Sequence, residues 1–499
     1  MKMKTRRWNG TWLTVLLLSG IVGSMTAAPA AEVADAVRNR NSSALQTLLK
    51  QGANVNAAQA DGTTALHWAA HWNDVEAVNL LLRAGANAKA VNRYGVTPLS
   101  EAVTSGSASM IQALLTAGAD PKTLTTEDGE TVLMTAARAG NTDAVRILLD
   151  RGADVNAREK YKGQTALMWA AAERHPEIVR LLLDRGADWK IRSSDRETRL
   201  PRLSAASSVS PMARGGFPAL LYAAREGDVE TAQIMADKGV DLNYGDVDNT
   251  TALTVSVLNK RYTFAKFLLD RGADPNVVDA SGRTALYAVV EARNEDWTTL
   301  PERRADDPLP SIEIVKLLLA HTADPNAALN KPLPGKSGMD SGDTTLGAGT
   351  TPLMRAARSG DAASMRLLLA AGADPKLVTR DGSNALMFAA GVGYRDKNTK
   401  GTESEALEAL KVAIGAGLDL NEANSKGEMA IHGAALRGGD TIVQFLIDNG
   451  AKLNAKTKQG FTPLDVALGK SIVGQLPVPK DTTVALLRKL GGLEGKDVN

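Results

Sequence analysis

Residues 61–90 read DGTTALHWAAHWNDVEAVNLLLRAGANAKA, two apolar runs separated by a short polar break and closed by a glycine turn. Leu66 with the pair Ala69 and Ala70 predicts a first helix, and the triplet Leu80, Leu81 and Leu82 predicts a second. Thr64 stands where a helix N-cap belongs, and Gly85 where a helix C-terminal cap belongs. The stretch therefore reads as turn, helix, tight turn, helix and polar loop.

The same unit recurs along the 499-residue chain. RYGVTPLSEA, EDGETVLMTA, YKGQTALMWA, ASGRTALYAV and DGSNALMFAA repeat its first half, while VRILLDRGADVN, VRLLLDRGADWK, AKFLLDRGADPN and MRLLLAAGADPK repeat its second. The anchor positions are Leu66, Leu99, Leu133, Leu167, Leu220, Leu253, Leu286, Leu353, Leu386, Ile431 and Leu464. Most are 33 or 34 residues apart, and intervals of 53, 67 and 45 mark insertions. Several units place proline at the first helical position, as at Pro98 and Pro352. One such unit cannot bury its apolar face alone, so the units are expected to stack into a single elongated solenoid.

This pattern resembles the ankyrin repeat family, whose unit is G-x-T-P-L-H-x-A-A followed by a second helix and G-A-D-V-N. The resemblance runs from about residue 33 to residue 490 and includes a leading half-unit at 33–56. It implies an all-α fold, an ankyrin-repeat solenoid of about twelve helix-turn-helix units with β-turn fingers; the N-terminal sequence, independently of the resemblance, has it preceded by a signal peptide. At about 9 to 10 Å per packed helix layer, such a rod is on the order of 100 Å long. The polar residues Asp35, Arg38, Asn39 and Arg40 in the first unit, and the QLPVPKD interruption in the last, suit the capping ends of a solenoid.

The N-terminus reads as an export signal. Lys2, Lys4, Arg6 and Arg7 precede a mostly apolar run over 12–22 and the small residues Ala28, Pro29 and Ala30, which places cleavage after residue 30. The apolar run is shorter than the roughly 20 residues of a membrane span, which leaves an uncleaved anchor as the lesser alternative. The adjacent Arg6 and Arg7 weakly resemble the signal of a folded-protein export route. Loss of four basic residues leaves 54 Lys plus Arg against 56 Asp plus Glu. A near-neutral chain of this kind is not expected to take nucleic acid, or to insert in a membrane once the signal is removed. Cysteine is absent, which excludes disulfides, thiolate metal sites and thiol nucleophiles. The expected setting is the bacterial periplasm or the exterior of the cell.

Repeats are expected over 31–189, 215–326 and 349–490, with a tail at 491–499. Insertions at 190–214 and 327–348 enlarge loops between units, while 293–310 and 391–404 separate the two helices within a unit. The first is basic and rich in serine and proline, the composition of a mobile loop, and the 293–310 segment carries an apolar Trp297.

No catalytic or cofactor motif emerges. GKS at 469–471 and at 335–337 lacks the earlier glycine of a phosphate loop, and no HExxH, GxSxG or calcium-loop pattern occurs. His67 and His71 have the spacing of a metal-chelating pair, but a stable site needs three or four ligands and only Asp61 and Asp74 are plausible additions. The resemblance assigns His67 instead to hydrogen bonds with turn atoms, and no metal is expected.

Trp68 and Trp72 share one helix face. The resemblance puts that face in the concave groove, where partners of the family bind. Trp169 and Tyr222 occupy the Trp68 position in later units, and Glu101 and Arg355 occupy it in others, so a half-exposed aromatic stripe is expected. Arg138 stands at the His71 position, and Arg93, Tyr94 and Tyr161 stand at finger tips. These eight residues, Trp68, Trp72, Trp169, Tyr222, Arg93, Tyr94, Tyr161 and Arg138, are the candidate contacts with a partner protein. The expectation is a monomeric, non-catalytic binding scaffold. A carbohydrate- or envelope-binding role through the aromatics is the alternative, and a metal-dependent role through His67 and His71 is the remotest.

Overall fold

The computed structural model describes residues 31–195, 215–294, 307–333, 346–394, 401–470 and 478–498. The expected signal at 1–30, Trp297 and the inner parts of the insertions lie outside the described residues.

The described α-helices, from Glu32–Arg38 to Asp481–Lys489, fall into twelve consecutive pairs. First helices pack against first helices of neighbouring units, and second against second. One apolar cluster runs unbroken from Val33 to Leu487, which makes the chain the helical solenoid that its repeats predict. Every anchor residue is 4% exposed or less, so each is a core side chain whose truncation costs about 2 to 5 kcal/mol. The hydroxyls of Thr97, Thr131 and Thr284 cap as expected, accepting from the backbone N–H three residues on at 3.1 to 3.2 Å, whereas the Thr64 hydroxyl lies 2.9 Å from His67 Nδ1 and makes no such bond. Gly85 closes its second helix with φ 86°, a left-handed conformation that side chains disfavour.

The asparagine that ends many units ties each to the next. Asn56 accepts from the N–H of Asn87 at 2.7 Å and donates to the carbonyl of Gly85 at 3.1 Å. Asn156, Asn276, Asn326, Asn421 and Asn454 repeat this double bond at their own junctions. Lys89, Lys122, Lys190 and Lys376 occupy the position elsewhere. At the Lys122 junction a cavity of about 260 Å³ opens, lined by Pro121, Leu124, Ala153 and Arg158 among others.

The edges of the insertions differ from the sequence boundaries. Helix Ala285–Arg293 takes in the first residue of the 293–310 segment, and helix Glu403–Gly415 begins inside the 391–404 segment. Residues of both segments also serve neighbouring helices, whose N-termini need acceptors for their unpaired N–H groups. Asp307 accepts from the N–H of Thr263 at 3.0 Å, capping helix Tyr262–Asp270, whose own N-cap residue Arg261 supplies no side-chain bond. Glu403 accepts from Thr441 at 2.6 Å, beside the N-cap position held by Gly439. The residues beyond 490 are also more than a tail. Leu493 donates to Asn454 at 2.8 Å and Gly495 to Asp465 at 2.6 Å, so the segment continues the inter-unit ladder.

Candidate protein-interaction surface

His67 is buried, and both ring nitrogens are occupied. Its Nδ1 accepts from the N–H of Thr64 at 3.2 Å and its Nε2 donates to the carbonyl of Val96 at 3.0 Å, a contact with the next unit's turn. Burial lowers its pKa, which favours the neutral imidazole that this bonding requires. His432 repeats the arrangement with Met429 and Ala455. His71 is exposed and pairs at 3.0 Å with Glu101, a partner from the following unit. The two acids named as possible ligands are occupied elsewhere: Asp74 caps its own helix at Ala77, and Asp61 accepts from Thr63. Among the described residues, no three His, Asp or Glu side chains gather as a metal site.

The expected stripe resolves into separate clusters. Trp68 and Trp72 stack with ring centroids 6.1 Å apart at 21°, and the His71 ring meets each edge-on. Arg38 lies over the Trp68 ring at 5.4 Å and Arg40 over the Trp72 ring at 4.2 Å. The indole N–H of Trp68 donates to Gln59, which itself donates to Asp35. The two intervening units place polar Glu101 and Thr135 in register, so Trp169 begins a second cluster. There Arg138 lies over the Trp169 ring at 5.1 Å and is paired with Glu130 at 3.0 Å. Tyr222 departs from the half-exposed expectation. It is 7% exposed, its hydroxyl accepts from Gln164 at 3.0 Å, and Phe217 packs against its ring.

The fingers project the exposed candidates. Asn92 accepts from the N–H groups of Tyr94 and Val96, each at 3.0 Å, and Glu159 accepts from Tyr161, Lys162 and Gln164. With the turns held from inside, Tyr94 and Tyr161 remain 63% and 58% exposed. Arg93 donates to the Tyr94 hydroxyl at 2.9 Å, with its guanidinium over that ring. Val91, Leu124, Val247, Val278 and Val378, also exposed, lie in the same row of fingers.

The groove is different toward the C-terminus. Gly433 stands at the Trp68 register position, and a Cβ there would lie 2.4 Å from the backbone nitrogen of Val392, so the insertion's first residues fill that space. Arg358, at the register of exposed Arg138, is buried and donates to the carbonyl of Gly393 at 2.9 Å. Arg355 donates to the carbonyl of Asn294 at 3.2 Å. Buried Asp279 and Glu291 flank Arg283 at 3.0 and 3.3 Å, and Arg293 meets Asp361 at 2.7 Å. Burial alone would raise Asp361, but hydrogen bonds from Ser364 and Arg293 outweigh it and hold the carboxyl below its ordinary range.

Sequence reasoning missed Arg38, Arg40 and Glu101 as parts of the tryptophan cluster. The signal was available for Arg38, which stands at the register of His71 one unit earlier. Nothing in the repeat pattern marks which insertion residues return to cover Arg358.

A solenoid of paired helices with projecting fingers defines a repeat scaffold. The chain belongs to the ankyrin repeat family: the family described as "Ankyrin repeats (3 copies)" matches residues 33–125, 110–193, 203–279 and 310–397, and "Ankyrin repeats (many copies)" matches 412–467. Repeats of this family are generally protein-interaction scaffolds. A crystal structure of the human ASB11 ankyrin repeat domain is similar at 25% identity, covering 49% of this chain and 98% of that one with a TM-score of 0.39. Serine/threonine-protein kinase 12 of Arabidopsis thaliana is 34% identical over 77 residues, 15% of this chain. The match spans only 17% of the kinase and falls in a repeat region. Among the described residues, no helix is long and apolar enough to cross a membrane.

Proposed function

We propose that this chain is an exported, non-catalytic scaffold of bacterial origin, periplasmic or secreted, that binds another protein through its fingers and the N-terminal half of its groove. The observation that carries this reading is the location of the exposed apolar side chains. Of the large ones among the described residues, Val91, Tyr94, Leu124, Tyr161, Val247, Val278 and Val378 stand on fingers, and only Val478 and Leu493, which flank the last α-helix, do not. Apolar groups gathered along one edge mark an interaction surface, and tyrosines serve well as anchors because their rings bury apolar area while the hydroxyl stays hydrogen-bonded. Trp68, Trp72 and Trp169, half-buried on the adjoining groove face, extend it.

The carbohydrate alternative is weaker. Sugar binding needs an open indole face, and here Trp68 and Trp72 cover each other on one side while Arg38 and Arg40 lie over the rings. The test is affinity capture from the native envelope fraction with the wild-type chain, a Tyr94→Ser/Tyr161→Ser variant and a Trp68→Ala/Trp72→Ala variant. A protein captured by wild type and at least about tenfold less by the finger variant is expected, since anchor residues carry ~2 kcal/mol or more. Equal capture by all three would sink the reading.

A further inference from the structure

We infer that Arg38 and Arg40, seated on Trp68 and Trp72, form a carboxylate-binding end to the groove and select a partner segment that carries acidic side chains. The inference rests on the groove reading above and narrows the chemistry of the partner.

The argument begins from the other arginines of the groove. Arg138 lies over Trp169 and Arg225 over Tyr222, much as Arg38 lies over Trp68. Each of those two has its own carboxylate, Glu130 at 3.0 Å and Glu226 at 2.8 Å. Further along, Arg283 and Arg293 are neutralised by Asp279, Glu291 and Asp361. Arg38 and Arg40 carry no ion pair among the described residues, and both are exposed. The nearby acids are engaged otherwise: Glu101 holds His71, and Asp35 accepts from Gln59 at 2.6 Å. Two cations without a carboxylate partner among the described residues thus stand side by side on the tryptophan pair, whereas Arg138 and Arg225 on their own aromatic rings are each matched by an acid.

Their seats make them more than solvated surface charge. A guanidinium over an indole face loses little rotational freedom when it binds, and its planar fork remains available at the edge for a carboxylate. Trp68 and Trp72 are themselves held, by the stack between them, by His71 and by the Gln59 bond. Arg40 leaves its helix with φ 55°, at the turn where Gly106, Gly140, Gly227, Gly360 and Gly438 stand in other units and where Asn73, Arg174 and Lys260 also adopt it. Arg40 thus places a side chain at a turn that several other units give to glycine. The fit is to an acidic polypeptide rather than a nucleic acid, because Arg38 and Arg40 form a short cluster and not the extended run of cations that a phosphate backbone engages.

The test uses the full-length chain and tryptophan fluorescence. The probes are a synthetic octapeptide of alternating Glu and Leu and its Gln counterpart. The acidic peptide is expected to bind at least about tenfold more tightly, and the preference should shrink as salt is raised from about 0.05 to 0.5 M. Arg38→Gln/Arg40→Gln should abolish the preference without moving the melting temperature, because both side chains are exposed. Arg38→Lys/Arg40→Lys should keep only part of it, since an ammonium cannot reproduce the planar contact. Equal binding of the two peptides, or an acidic preference that survives the Gln variant, would overturn the inference. Single-stranded DNA bound as tightly through the same arginines would overturn the assignment to a peptide. If a native partner is lost with the Tyr94→Ser/Tyr161→Ser variant but retained by Arg38→Gln/Arg40→Gln, the scaffold reading stands and this one falls.

Discussion

Arg138 and Arg358 occupy the same register position, five residues past anchors Leu133 and Leu353, and they meet opposite fates. Arg138 is exposed, lies over Trp169 and reaches Glu130 at 3.0 Å. Arg358 is 2% exposed and donates to Gly393, in the segment inserted within the following unit. A repeat therefore fixes where a side chain leaves the helix without fixing what it meets. In the N-terminal half Trp68 and Trp169 stay half-buried on the groove face, while toward the C-terminus inserted residues cover Arg358 and fill the space beside Gly433.

The largest effect should separate these two arginines. Arg358→Ala removes a buried cation and its hydrogen bond and leaves space in a packed site, a loss of about 2 to 4 kcal/mol. Arg138→Ala removes a partly screened surface pair and should cost about 1 kcal/mol or less. Hydrogen exchange resolved by segment is the suitable measurement, since a long solenoid can open locally. Protection should fall around 352–394 in the first variant and stay nearly unchanged around 132–172 in the second. Comparable losses would break the distinction between an open and a covered groove.

The asparagine ladder offers a smaller, two-sided test. Asn326→Ala deletes the two bonds at 2.7 and 3.1 Å that join its unit to the next, and about 1 to 3 kcal/mol of local stability should go with them. Lys122→Asn places the missing group at the junction with the 260 Å³ cavity and should add about 1 kcal/mol, read as a raised melting temperature or slower exchange after residue 150. A loss there would mean that the Lys122 junction is spaced for something other than the ladder.

The fold was legible because its determinants are periodic. Anchors such as Leu66 and Leu386, capping threonines such as Thr97 and closing glycines such as Gly85 recur at one spacing and perform the local role their chemistry predicts. The candidate surface was legible only in part. Register placed Trp68 beside Trp72 and put Tyr94 and Tyr161 at finger tips, but it could not show that Phe217 and Gln164 would bury Tyr222. Nor could it show that Asp307 and Glu403 would return as helix caps, because those contacts join residues whose separation the repeat does not set.

The smallest predicted effect tests whether the two halves share one core despite their different grooves. His67 and His432 sit at the same register position, one in each half, and burial lowers the pKa of both from 6.5. In the unfolded chain these imidazoles gain a proton as pH falls through 6.5, while in the folded chain they resist it until lower pH. Stability contributed by the neutral rings is thus present above pH 6.5 and declines as pH falls from there through the folded values. The lowered carboxylates Asp361, Asp381 and Asp465 act in a separate window, below their ordinary value of 3.8. Melting temperature should therefore drop modestly between about pH 7.5 and 5. His67→Met/His432→Met should flatten that slope, and methionine is tolerable there because Met134 already fills the position, its sulfur accepting from the N–H of Thr131 at 3.4 Å. Each single variant should remove a similar share. A slope carried by one histidine alone would show that the difference between the halves reaches below the groove into the repeat itself.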